Sequence, residues 1–325
     1  MARDPQAALV ALNRFGFGAR GGASGDFINA ASDPRGFVAA ELQRPAAALI
    51  ESPALQTTPV LASELFAFQA EQKAKREADA KATAAKTAMA SQEHAAMMDK
   101  AAPPPTIPRP PKPAPNVIER TFRAEALARI QRASIAECGF LERLVTFWSN
   151  HFCISASKGQ PARIWAGAFE REAIRPHVLG HFADMLKAVE QHPAMLFFLD
   201  NQQSIGPNSR AGQRGKRGLN ENLAREIMEL HTLGVGSGYT QADVVALAKI
   251  LTGWTYAGRQ GRLGEPGSFI FNVNAHEPGA IALLGKSYPD SKVAQGEAAL
   301  ADIARRPATA TFIATKLVRH FVADD

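Results

Sequence analysis

Leu219-Asn220-Glu221-Asn222-Leu223-Ala224-Arg225-Glu226-Ile227-Met228-Glu229-Leu230-His231-Thr232-Leu233-Gly234 decides what kind of chain this is. Leu223, Ile227 and Leu230 recur at the three- and four-residue spacing of an amphipathic helix. Asn220 or Asn222 supplies a side-chain oxygen for an orphan N–H of the first turn. Gly234 ends the helix, because glycine enters the left-handed region without steric cost. On a wheel of about 100° per residue, Asn222, Glu226 and Glu229 share a stripe roughly 60° wide, with Arg225 beside it. His231 falls roughly 140° from Glu226, next to the apolar face. The acidic stripe has two readings. It lines a polar cleft that holds a metal or a proton, or it faces solvent with Arg225 paired to Glu221 and Glu229 at helical spacing. His231 reads as a hydrogen-bonded core histidine, unless another element brings it a partner.

The same period extends in both directions and predicts a mostly α, irregular multi-helix globular domain. Helices are expected over Ala7–Phe15, within 34–54, and over 120–131, 134–149, 164–174, 176–191, 193–199, 241–251, 292–305 and 309–322. Thr240 with Asp243 forms a capping pair for one of them. Ser268 to Val273 alternates like a strand. It is expected to pair with Ile281–Leu284 across His276-Glu277-Pro278-Gly279, giving a small β-hairpin near residues 268–284. From Val60 to Lys100, Ala, Lys, Glu and Gln dominate, which predicts one long, exposed helix or a helical hairpin arm. Residues 102–115 are proline-rich and favour an extended, semi-rigid connector. The expected organisation is residues 1–59 as N-terminal helices of the main domain, 60–115 as an inserted arm and connector, and 116–325 as the main helical domain. The last helix is core-facing, so further helices are expected beyond it.

Composition sets limits. A chain of 325 residues with 46% hydrophobic and 21% charged residues can bury a sizeable core. The net charge of +6 suits an anionic partner without pointing to nucleic acid. No basic and aromatic residues interleave as a base-stacking platform, so no nucleic-acid partner is expected. No apolar run reaches transmembrane length, and no secretory leader is visible, so the default expectation is a cytoplasmic protein. Two cysteines, Cys138 and Cys153, argue against a disulfide scaffold or a cysteine zinc site.

Several motifs fail their physical requirements. Gly16-Phe17-Gly18-Ala19-Arg20-Gly21 follows a helix rather than a strand, so it reads as a helix stop and turn. Ala280 to Ser287 spells a relaxed phosphate loop, but it is apolar, and Pro289 blocks the helix whose N-terminus would face phosphate. Other polar groups carry chemistry. Asn150-His151 stands among Phe147, Trp148 and Phe152, where an imidazole titrates near neutrality. Cys153 near His151 offers a thiol–imidazole pair or a buried thiol. Arg210, Arg214, Lys216 and Arg217 make the loop before the acidic helix basic, which suits a mobile cover attracting an anionic substrate, or a solvated insertion.

Five runs together resemble a known bacterial family. They are Phe147–Phe152, His192-Pro193-Ala194-Met195-Leu196 through Asn201, Asn220 through Gly234, Tyr239-Thr240-Gln241-Ala242-Asp243-Val244 and Leu251-Thr252-Gly253-Trp254. The family is filed as domain of unknown function 1800. The resemblance runs from Leu12 to the C-terminus, interrupted by the arm. It implies a mostly helical domain and carries no established reaction. It also implies that Asn150, His151, Asn222, Arg225, Glu226, Glu229, His231 and His276 matter together.

Three functional readings remain open. The first is an enzyme, an oxidoreductase or hydrolase, dependent on a divalent iron, manganese or zinc ion. Glu226 acts as general base or metal ligand, Glu229, His151 and His231 complete the ligand set, and Arg225 fixes an anionic group. Bundle helices hold such metals with carboxylates and imidazoles. The second is a binding or assembly protein that engages a protein or small-molecule partner through the arm and the proline-rich segment. The third is a buried structural network with no chemistry.

Overall fold

A computed structural model of the chain describes residues 4–19, 25–93, 114–136, 138–215 and 218–323. The described residues are 61% helical and mostly α, with small antiparallel hairpins and no closed sheet among them. The N-terminal part comprises α1 (Pro5–Val10), α2 (Asp26–Ser32) and α3 (Pro34–Leu42). Asp4 and Asp33 cap α1 and α3 through their carboxylates. These helices enclose a small separate core of Ala8, Leu12, Ala30 and Ala31.

Next comes α4 (Thr58–Glu93), a 36-residue helix. Leu61, Ala62 and Leu65 bury its first turns in the main core, and every residue from Lys73 to Ala85 is exposed. The proline-rich stretch 102–113 lies outside the described residues. The start of α4 is fastened to the body: Thr58 N–H donates to Glu172 Oε1 at 2.9 Å, and its hydroxyl meets His192 Nε2 at 3.2 Å.

The main body runs through α5 (Val117–Ile135), α6 (Phe140–His151), α7 (Gln160–Phe169), α8 (Phe182–Gln191) and α9 (Pro193–Phe198). It continues with α10 (Asn222–Glu226), α11 (Gln241–Ile250), α12 (Val293–Ala304) and α13 (Pro307–Phe321). The expected helix over 134–149 is broken, because Gly139 at φ +85° separates α5 from α6. The buried Glu41 carboxylate from α3 accepts the N–H groups of Cys138, Gly139 and Leu141 there. An acceptor at a helix start satisfies orphan donors and complements the helix dipole. Helix α7 is central, packing on α4, α5 and α9 with Trp165 fully buried.

A buried ionic cluster ties α6 to the turn that follows α7. Arg175 donates to both oxygens of Glu142 and to Glu170 Oε1, and its Nη1 also reaches the Ala48 carbonyl. Such a cluster is costly to break, because removing one partner leaves a desolvated charge.

The central stretch differs from the single helix expected. Helix α10 lasts only to Glu226, and Ile227–His231 is a π-turn. Widening the turn changes the angular step, so side chains after Glu226 leave the positions of a 100° wheel. Asn220 does serve the start, since its Oδ1 accepts the Asn222 N–H at 3.0 Å. Gly234 sits at φ +85°, as its place at the helix end requires. A Cβ on it would stand 2.7 Å from the Phe312 ring of α13. The glycine therefore also lets α13 close against this corner.

The strands lie where alternation put them, but their pairing differs. β2 (Phe269–Phe271) pairs with β1 (Trp254–Tyr256), and β3 (Ile281–Leu283) pairs with β4 (Lys286–Tyr288). The run Trp254–Tyr256 is three residues long and follows the end of α11 after a short turn, which hid it from the pattern. Leu284 and Gly285, at φ +51° and +81°, form the tight loop between β3 and β4. The relaxed phosphate-loop match is thus a hairpin. Among the described residues no helix is long and apolar enough to cross a membrane.

Candidate functional site

His231 is the last residue of the π-turn, so its carbonyl has no partner within the helix. His151, the last residue of α6, supplies one: its Nε2 lies 2.9 Å from that oxygen. A carbonyl only accepts, so His151 Nε2 carries the hydrogen and donates it. In a neutral imidazole the other nitrogen, Nδ1, is then a lone pair. Lys316 of α13 places Nζ 2.8 Å from Nδ1 and donates to it. Both ring nitrogens are thereby assigned by chemistry. Burial, and then the neighbouring Lys316 charge, push the His151 pKa down to about 3. His151 is only 5% exposed and is enclosed by the rings of Phe147, Trp148 and Phe152. It is neutral throughout the physiological range.

The imidazole of His231 turns inward as well. Its Nδ1 lies 2.8 Å from Oε1 of Glu190 on α8, and both side chains are buried. Glu190 Oε2 has no hydrogen-bond partner. The two histidine rings stand 6.2 Å apart, centre to centre. Glu190 thus orients His231, whose main-chain oxygen orients His151, whose lone pair holds Lys316.

This chain of contacts opens into a cavity of about 380 Å³ lined by Phe147, Asn150, His151, Lys316, Arg319 and His320. None of those six residues is acidic. Lys316 is half-buried, and burial lowers its pKa. Its contacts are His151 and the Phe312 ring, 5.2 Å from the ammonium. Arg319 is exposed and makes no hydrogen bond or ion pair among the described residues. His320 has a buried Nε2 with no partner, and burial followed by Arg143 lowers its pKa. Lys316, Arg319 and His320 share one face of α13 at i, i+3 and i+4, and the two cations of that face, Lys316 and Arg319, repel by about 0.2–0.5 kcal/mol.

The expected residues separate into groups. His151, His231 and Asn150 gather here. Arg225 instead donates to Glu229 Oε1 at 3.2 Å, Glu221 Oε2 at 3.0 Å and Gln241 Oε1 at 3.0 Å. Two of these contacts are the helical-spacing pairs of Arg225 with Glu221 and Glu229. Glu226 is half-buried and makes no hydrogen bond or ion pair among the described residues. Asn222 donates to the Leu199 carbonyl. His276 lies among other elements, its Nδ1 donating to the Thr252 carbonyl and its Nε2 3.6 Å from Asp290 Oδ1.

The metal set of Glu226, Glu229, His151 and His231 does not converge. Both nitrogens of His151 are engaged, His231 Nδ1 is held by Glu190, and Glu229 is held by Arg225. Among the described residues no three His, Cys, Asp or Glu side chains form a group that could hold a metal. The Cys153–His151 pair does not form either: Cys153 is exposed, and its thiol meets the Ile154 carbonyl. The loop before α10 is pinned to residues 274–277 by Gly206, Asn208 and Ala211. Lys216 and Arg217 lie outside the described residues.

Sequence reasoning missed Glu190, Lys316, Arg319 and His320. Glu190 carried no local signal, because its partner is 41 residues away. The α13 cations stand in the sequence as Lys-x-x-Arg-His, but the apolar side of that helix is the stronger local signal.

No curated protein and no solved structure matches the chain. A family model does, over residues 10–325, and its description is a protein of unknown function, DUF1800. The fold and the five sequence runs thus have a common origin: the chain belongs to the DUF1800 family.

Proposed function

We propose that the protein binds a small molecule through its carboxylate or phosphate group in the cavity beneath His151. The observation that carries this reading is the Lys316 ammonium. It faces the cavity with Arg319 one helical turn away, and its hydrogen-bond partner is a neutral imidazole rather than a carboxylate. Arginine forks match planar carboxylates and phosphates, and lysine adds a point charge. Asn150 at the rim offers an amide donor. A cationic face without counter-charge is costly when empty, and an anionic ligand removes that repulsion. On this reading Glu226 and Arg225 are outside the working site, and the carboxylate–histidine cleft becomes a cation–histidine cleft.

Titration with lactate and, separately, inorganic phosphate at constant ionic strength tests the reading. The ring signals of His151 and His320 are followed by nuclear magnetic resonance. Saturable shifts that vanish in Arg319→Ala and Lys316→Met support it. Shifts that do not saturate, or that survive both substitutions, overturn it.

A further inference from the structure

The Lys316 amine has a specific geometry that goes beyond holding an anion. Its Nζ is tethered at 2.8 Å to a nitrogen that can only accept. That nitrogen is fixed in direction, because the opposite side of the ring is bound to the His231 carbonyl. The carbonyl is held in turn by the π-turn, whose terminal imidazole is anchored on Glu190. When the amine is neutral, one of its N–H bonds therefore points back at His151. Its lone pair is left free for the cavity, which is large enough for a small organic molecule. Arg319 lies on the same face of α13, about 5–6 Å away between Cβ atoms.

We infer that Lys316 forms an imine with a small carbonyl compound that also carries an anionic group, the anion being held by Arg319. The inference rests on the anion-binding reading above. The chemistry balances without a cofactor. Lys316 loses a proton to solvent, and the Nζ lone pair attacks the carbonyl carbon. The carbonyl oxygen becomes the hydroxyl of a carbinolamine. That hydroxyl takes a proton from solvent and leaves as water as the C=N bond forms. Overall, an ammonium and a carbonyl give an iminium and one water. Half-burial favours the neutral amine that the first step needs. His151 moves no proton in this scheme. It positions Nζ, and its buried ring resists protonation, so its lone pair stays available.

Other ion-paired lysines among the described residues differ. Lys158 pairs with Asp200 at 2.6 Å, Lys73 with Glu77, and Lys286 with Asp302. Each of those ammonium groups has a carboxylate as its partner, whereas Lys316 has an imidazole.

Reductive trapping tests the inference on the whole chain. The protein is incubated with pyruvate and sodium cyanoborohydride, which delivers hydride to an iminium, and is then digested and mapped by mass spectrometry. The expected result is a carboxyethyl adduct at Lys316 in excess of every other lysine, suppressed by lactate, which has the carboxylate but no ketone. Lys316→Arg should lose the adduct at that position while circular dichroism shows the fold retained. An adduct spread evenly over surface lysines, or absent from Lys316, overturns the inference. If lactate still shifts the His151 signals in that case, the anion site stands and only the imine falls. Equal trapping of acetaldehyde, unaffected by lactate, overturns the requirement for an anionic group and the anion-binding reading with it. A Lys316 that is neither trapped nor shifted removes both.

Discussion

His151 and His231 meet through a main-chain oxygen rather than through their rings: Nε2–H of His151 donates to the His231 carbonyl across 2.9 Å. This bond fixes the tautomer of His151 and so decides what its other nitrogen can do. It exists because the π-turn stops at His231 and leaves that carbonyl unpaired.

The buried neutral imidazole makes stability depend on pH with a definite sign. The folded pKa of His151, about 3, lies below the unfolded value of 6.5. Between those limits the unfolded chain binds the extra proton, so stability rises with pH. The contribution is complete above about pH 6.5 and is lost as pH falls toward 3, at about 1.4 kcal/mol per pH unit inside the window. Urea unfolding from pH 7 to pH 4 should show this slope, and His151→Phe should flatten it.

Lys316 acts on His151 in a second, separable way. Lys316→Met removes a neighbouring positive charge, so the His151 midpoint should move upward. It should stay below 6.5, because burial is the larger cause. A nuclear magnetic resonance pH titration of the His151 ring reads the shift directly.

The acidic stripe of α10 should behave as surface. Glu226 has no partner among the described residues, so Glu226→Gln should change stability by no more than about 0.5 kcal/mol. Glu190→Ala, by contrast, leaves His231 Nδ1–H buried and unpaired. It should cost about 1–3 kcal/mol. Chemical denaturation of the two variants side by side separates them.

That contrast also shows how far sequence reasoning reached. The apolar spacing of Leu223 and Ile227, the capping pair of Thr240 and Asp243, and Gly234 were all readable, because each is a local rule. The turn from α to π geometry at Ile227 was not. The Arg225–Glu229 pair and an inward His231 fit the wheel, but the wheel could not name Glu190 as the partner of His231. Lys316 was out of reach for a different reason. It is 165 residues from His151, and no spacing encodes a contact between the end of one helix and the flank of another. The strand Trp254–Tyr256 failed on length, since three residues give alternation nothing to repeat.

Gly234 should tolerate no side chain. Left-handed backbone costs an L-residue about 1–2 kcal/mol. In Gly234→Ala the added methyl would also meet Phe312. The substitution should therefore destabilise the protein by more than the backbone term and shift α13. Loss of the Lys316–His151 contact, seen as a changed His151 ring signal under native conditions, is the local readout.

Arg175 offers the largest stability effect. Arg175→Ala removes the two-pronged partner of the buried Glu142 and one ion-pair partner of the buried Glu170, leaving them Arg132 and Arg129, and should cost about 3–5 kcal/mol. Thermal unfolding measures this without reference to the site.

Long-range proton–nitrogen correlation spectra of His151 probe the site most directly. The expected pattern at pH 7 is a neutral ring protonated at Nε2, with Nδ1 moving on titration with lactate and losing that response in Lys316→Met. A ring protonated at Nδ1, a doubly protonated ring, or an Nδ1 signal indifferent to both lactate and Lys316 would contradict it.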